Sequence, residues 1–227
     1  MLFSLIRNVL SGGKLDFMTV LLYIVSSLIV IFLCLPVHEF AHGFVAVKLG
    51  DITPKYQGRL TLNPLAHIDY LGALSILVFG FGWAKPVGVN MRNFKNPKLG
   101  MAITALAGPV SNILLSLIFM IIMKLIMLYV TAVTLYQYLI LVCYVTISIN
   151  ISLAVFNLIP IPPLDGSRLL NVILPDRIYY KIMRYEQYLI WAVFALIWIG
   201  VLDRPISYLS DLIFFGLDKL TFLIFGV

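Results

Sequence analysis

Three long apolar runs constrain this chain more than any other feature: Phe17 to Val47, Leu99 to Met123 or beyond, and Tyr136 to Ile159. At about 1.5 Å per residue, each is long enough to cross the roughly 30 Å hydrocarbon core of a bilayer as a helix. A soluble domain would need about 25% charged residues to cover its surface. Here 11% are charged and 62% hydrophobic, which excludes a water-soluble globular fold. The chain therefore reads as an all-α polytopic membrane protein. Its 227 residues form a single membrane-embedded domain over 1–227, with a three-helix core over 18–170 and flanking C-terminal helices over 187–227.

Shorter segments fill in the plan. Met1 to Leu10 is too short to span and reads as a retained amphipathic piece at the interface. Leu71 to Trp83, interrupted by Gly80 and Gly82, covers only about 20 Å and is expected to dip into the membrane and return. Tyr56 to Leu62 and Pro86 to Met91 alternate apolar and polar residues between Pro and Gly, which predicts short strands beside this re-entrant stretch. Gln187 to Val201 makes a fourth, shorter helix, and Ile206 to Val227 a fifth that spans or lies along the interface. Lys124, near the outer end of the second span, is expected to snorkel to the headgroups.

The basic residues set the orientation. Lys48, Lys55, Arg59, Lys85, Arg92, Lys95 and Lys98 lie between the first and second spans, and Arg168, Arg177, Lys181 and Arg184 follow the third. With a re-entrant stretch in the first loop, both groups face one side, which the distribution of positive charge assigns to the cytoplasm. The net charge of +6 is thus a topology signal, and nothing supports binding of nucleic acid. Cys34 and Cys143 sit in apolar runs and act as small hydrophobes.

Chemistry concentrates at His38-Glu39-Phe40-Ala41-His42. Residues four apart share one helix face, so both imidazoles can bind one Zn²⁺ while Glu39 reaches the open coordination position. The alternative is a set of polar residues capping the helix at the interface. Against it stands the cost of placing ionisable groups at membrane depth without a partner, several kcal/mol in order of magnitude. A catalytic zinc takes three protein ligands, and Asp165, just after the third span on the same face, is the natural third. The prolines at 160, 162 and 163 hold the backbone extended before it, and Gly166 permits a reversal after it. Asp165 has a competing reading as an N-cap for the helix starting near Ser167.

These motifs, together with Ala107-Gly108-Pro109-Val110-Ser111-Asn112 and Asn157 through Pro163-Leu164-Asp165-Gly166, resemble the site-2 protease family of intramembrane zinc metalloproteases. The likeness runs from about Leu33 to Leu170 and is nearest to the small bacterial and archaeal members, which it matches also at Asn63-Pro64-Leu65-Ala66-His67-Ile68-Asp69. It implies a three-helix catalytic core, one Zn²⁺ held by His38, His42 and Asp165, and Glu39 as general base. It implies further that Asn112 and Asn157 line the site and hold substrate or polarise its carbonyl, although each also suits an interhelical hydrogen bond. His67 is an accessory candidate, as a fourth ligand or substrate contact, set against a structural role in a loop-to-helix turn. No PDZ or CBS domain is encoded, so gating is expected within the membrane part.

The expected activity is zinc-dependent hydrolysis of peptide bonds in or near the transmembrane segments of protein substrates, in the plasma membrane, with the site near the cytoplasmic face. The competing class is a zinc-binding transporter or scaffold without protease activity. The chain shows none of the internal repeats common in transporters, and a transporter has no use for a base at position 39.

Overall fold

The structure, a computed structural model, describes residues 16–79 and 82–227. The amphipathic reading of Met1 to Leu10 lies outside these residues. Helix α1 (Phe17–Lys48) opens on Asp16, whose carboxylate accepts the N–H groups of Met18 and Thr19. One π-helical turn, Val30–Cys34, interrupts it, with the Leu35 N–H reaching back to the Val30 carbonyl. The widened turn directly precedes Pro36, whose ring would clash with the carbonyl four residues earlier in a regular helix. It also sets the phase of the turn that carries His38, Glu39 and His42.

Two single helical turns follow, α2 (Thr53–Tyr56) and α3 (Pro64–His67), and then α4 (Tyr70–Phe79). At about 1.5 Å per residue α4 is roughly 15 Å long, too short to span. The backbone at Gly82 and Trp83 returns against Gly72, so closely that a side chain at either glycine would collide with the other strand of the turn. The chain then runs without regular secondary structure to a 3₁₀ turn (Met91–Asn93) before α5 (Pro97–Tyr129) and α6 (Val133–Asn157). After these come α7 (Gly166–Ile173), α8 (Asp176–Arg184), α9 (Glu186–Trp198) and α10 (Asp203–Phe225).

The expected strands are a correction: among the described residues there is none. Tyr56 ends α2, Gln57 and Gly58 form a turn and 59–62 is bent and irregular, because the α2 backbone satisfies itself locally (Gln57 N–H to Thr53, Arg59 N–H to Pro54) and Gly58 adopts φ +65°. Pro86 to Asn90 forms no regular element and Met91 opens the 3₁₀ turn; the N–H groups of Val87, Gly88 and Asn90 are taken by side chains from elsewhere in the fold, so no ladder forms.

Helices α1, α5 and α6 are long and apolar enough to cross a membrane, and this is a multi-pass membrane protein. Their surfaces are inverted relative to a soluble bundle. On α5 the exposed stripe is Leu106, Val110, Leu114, Ile118 and Ile122, while Ala105, Asn112, Ser116 and Lys124 are buried. Small and polar residues inside with large apolar ones outside is the pattern of helices packed in lipid. Asn150 of α6 donates to the Asn112 carbonyl (2.7 Å) and to Ser116 Oγ (3.3 Å), tying α5 to α6 in the bundle interior. Lys98, at the start of α5, pairs with Asp176 of α8 (2.6 Å), so the two basic loops do share one face.

Lys124 does not snorkel. It is buried, and its Nζ lies 2.6 Å from Asp218 Oδ1 of α10. A single-helix argument sends a lysine to the headgroups, but a carboxylate on a packed neighbour offers a nearer partner than the interface does. Alongside, Ile206, Ile213, Phe214 and Leu217 of α10 pack on Met120, Met123, Cys143 and Ile147. Asp218→Ala leaves the ammonium buried and unpaired, and should cost on the order of 3 kcal/mol. The check is a lower thermal midpoint in detergent that Lys124→Met restores when combined with it; an unchanged midpoint would mean that the pair does not hold α10.

Candidate metal centre

His38 and His42 lie on consecutive turns of α1, about 10–15 Å along the helix from its end at Lys48. Their Nε2 atoms are 3.1 Å apart. Asp165, from the loop between α6 and α7, brings its Oδ2 to 3.3 Å from His38 Nε2 and 3.2 Å from His42 Nε2. The three donor atoms thus form a nearly equilateral triangle. A tetrahedral zinc with bonds of about 2.0–2.1 Å holds its donors about 3.3 Å apart, so the donor set and its spacing fit that ion. It is the cluster of metal-ligating side chains found among the described residues.

Each ligand is held by its surroundings. His42 Nδ1 lies 2.7 Å from the Thr104 carbonyl of α5, an N–H donor contact that leaves the Nε2 lone pair facing the triangle. Asp165 occupies the N-cap position of α7 but makes no capping hydrogen bond, which decides against its reading as a cap. Gly166 serves by close approach rather than by a special φ, since a side chain there would meet the backbone of Leu158 and Ile159.

Gly108 is a residue that the motif reading did not single out. A Cβ on it would press against His42 Nε2 and lie 2.5 and 2.6 Å from His38 Cε1 and Nε2. The glycine keeps the space between the imidazoles and α5 clear. Its signal in the sequence is only that glycine inside a helix costs about 1 kcal/mol and needs a reason.

Glu39 is buried and its Oε2 accepts the Val87 N–H (3.0 Å) from the irregular segment after the re-entrant turn. His38, Glu39, Asp165 and Asn157 line one cavity of about 220 Å³. Its apolar walls come from Trp83 and Pro86 on one side and Phe194 of α9 on the other, the two aromatic rings meeting edge to face at 5.6 Å. Asn112 is not among the residues lining it; it lies one turn beyond Gly108, buried, giving its carbonyl to Asn150. His67 also stands apart from the triangle. It is fully buried, with Nε2 2.8 Å from the Thr61 carbonyl, and its own carbonyl accepts the Lys85 N–H, so it secures the loop beneath the re-entrant turn.

Outside the spans, Asp51 fastens the same region. Burial alone would raise its pKa, but hydrogen bonds from the Thr53 hydroxyl, the Asn90 N–H, the Asn93 amide and the Thr53 N–H hold it below the ordinary 3.8. A depressed folded value contributes stability that is present above pH 3.8 and is lost as the pH falls through the folded value.

Comparison with known proteins finds zinc metalloproteases. Residues 123–200, which include Asp165, match the model of peptidase family M50. Over 172 residues the chain is 43% identical to "Putative zinc metalloprotease YwhC" of Bacillus subtilis, spanning 73% of this chain and 75% of that one. It is 32% identical over 138 residues to "Putative zinc metalloprotease MJ0611" of Methanocaldococcus jannaschii, spanning 59% and 63%. With "Putative zinc metalloprotease Rip2" of Mycolicibacterium smegmatis it shares 35% identity over 92 residues, 38% and 34% of the two chains. No solved structure matches. The fold and site define a membrane zinc metalloprotease. The chain belongs to peptidase family M50, the site-2 proteases.

Two predictions follow from the geometry. Gly108→Ala should abolish zinc binding, read as metal content of the purified protein, while the helical signal in circular dichroism persists; stoichiometric zinc in that variant would refute the packing argument. On acidification below pH 3.8, the wild type should lose thermal stability relative to Asp51→Ala, and parallel curves for the two proteins would show that Asp51 carries no such linkage.

Proposed function

We propose that this protein is an intramembrane endopeptidase that hydrolyses peptide bonds in or near the transmembrane segments of other membrane proteins. The observation that carries this reading is that Glu39 shares an apolar-walled cavity with the His38 and Asp165 ligands, inside the bundle. A transporter or scaffold gains nothing from a carboxylate in that place.

His38, His42 and Asp165 would hold the ion. When bound, zinc supplies a Lewis acid that polarises a carbonyl and makes water acidic near neutral pH. Glu39 takes a proton from the attacking water as its oxygen adds to the carbonyl carbon of the scissile bond. With Oε2 engaged by Val87, Oε1 is the oxygen left to carry that proton. As the C–N bond breaks, Glu39 delivers the proton to the leaving amine nitrogen, which regenerates the carboxylate. Asn157, which lines the cavity, would donate to the substrate backbone.

A helical substrate keeps its carbonyls in internal hydrogen bonds, so it must unwind locally before it can react. The cavity walls at Trp83, Pro86 and Phe194 suit an unwound apolar stretch. The shared face of the two basic loops supports a cytoplasmic location for the site, by the rule that positive loops stay inside; the membrane would be the plasma membrane.

Glu39→Gln is expected to keep one zinc per chain and to reduce cleavage of a reconstituted transmembrane substrate by at least about 10²–10⁴-fold, the usual span for loss of a general base. Cleavage at the wild-type rate by a protease-free preparation of that variant would contradict the assignment.

A further inference from the structure

We propose that Asp51 is a positioning residue for this reaction, fixing the segment whose Val87 N–H holds the Glu39 carboxylate. The inference rests on the role of Glu39 given above. Asp51 lies three residues beyond the end of α1, is fully buried, and belongs to no metal cluster. Its two oxygens do separate things. Oδ1 accepts from the Thr53 N–H (3.1 Å), the Thr53 hydroxyl (2.5 Å) and Asn93 Nδ2 (2.7 Å), which ties it to α2 and to the 3₁₀ turn. Oδ2 accepts the Asn90 N–H at 2.7 Å.

Three residues before Asn90, the Val87 N–H meets Glu39. Val87 and Asn90 are thus anchored at two points of one short segment, Val87 on Glu39 and Asn90 on Asp51. Gln57 takes the Gly88 N–H between them at 3.1 Å, but from an exposed position, and Asp51 is the buried anchor. The same segment lies against α1 at Gly43, one turn after Glu39, where the Val87 side chain comes within van der Waals reach of the position a Cβ would take. Because no sheet holds residues 86–91, the location of the Val87 N–H depends on these side-chain ties. Glu39 therefore has its carboxylate aimed by a backbone group that Asp51 secures.

Asp51→Asn is the discriminating variant. An amide has one acceptor oxygen, so it keeps the cluster at Oδ1 but presents N–H₂ to the Asn90 N–H and breaks that tie alone. Asn93→Ala does the reverse, sparing Oδ2.

The test uses the full-length, zinc-loaded protein in detergent with fluorescein-labelled β-casein as probe, and the cobalt(II)-substituted protein for visible spectroscopy. We expect Asp51→Asn to keep full metal content and to lower kcat about 10- to 100-fold with KM unchanged, the scale of a small misplacement of a catalytic group. Its cobalt bands should move in the direction that Glu39→Gln moves them, and Asn93→Ala should keep kcat within about threefold. Unaltered cobalt bands and kcat in Asp51→Asn, or a rise in KM alone, would overturn the proposal. So would an equal loss in Asn93→Ala, since that would mark general loosening of the loop. If Glu39→Gln itself retains activity, the proposed function fails, and that outcome is distinct from a silent Asp51→Asn.

Discussion

Two imidazoles and a carboxylate meet within 3.3 Å of one another inside a bundle whose outer surface is rich in large apolar side chains. Groups of this kind are costly at membrane depth unless something compensates them, and a divalent cation shared by all three does so. The rest of the architecture serves that meeting. Pro36 and the π turn before it set the phase of the α1 turn bearing His38 and His42. Thr104 of α5 fixes the tautomer of His42, Gly108 of the same helix keeps the adjacent space open, and the 158–166 loop folds on itself to deliver Asp165. Each of the core helices contributes one element that would be purposeless alone.

The same economy governs the carboxylate proposed as the base. Glu39 is next to a ligand in sequence, yet its orientation is set by a backbone N–H from 48 residues further on. That N–H is available because the segment around it forms no ladder and is held instead by His67, Gln57 and Asp51. An irregular stretch without sheet partners is unusual, since a backbone donor away from water must find an acceptor. Here the acceptors are the His67 carbonyl and the side chains of Glu39, Gln57 and Asp51, and the arrangement couples the loop face of the protein to the cavity.

Those parts that depend on local periodicity were legible in the sequence. The three spans and the His38/His42 face follow from the length of the apolar runs and the 3.6-residue repeat, and Asp165 follows once the loops are placed on one membrane face. Features that depend on distant neighbours were not legible. The alternation in Tyr56 to Leu62 looks like a strand but arises in a helical turn closed by Gly58. Lys124 finds Asp218 across the bundle, 94 residues away, a partner that no single-helix argument supplies. Thr104 acts through its carbonyl, which every residue possesses, so its role leaves no mark on residue choice. His67 shows the opposite case: its chemistry invites a metal role, and packing gives it a structural one.

The central claim is that one zinc ion is held by His38, His42 and Asp165. X-ray absorption at the zinc edge, on the purified protein in detergent, tests it most directly. The account predicts one zinc per chain in a shell of nitrogen and oxygen at about 2.0–2.2 Å, with two imidazoles resolved in the outer scattering and one oxygen altered in Asp165→Asn. A shell containing sulfur at about 2.3 Å, or one identical in wild type and Asp165→Asn, would contradict it.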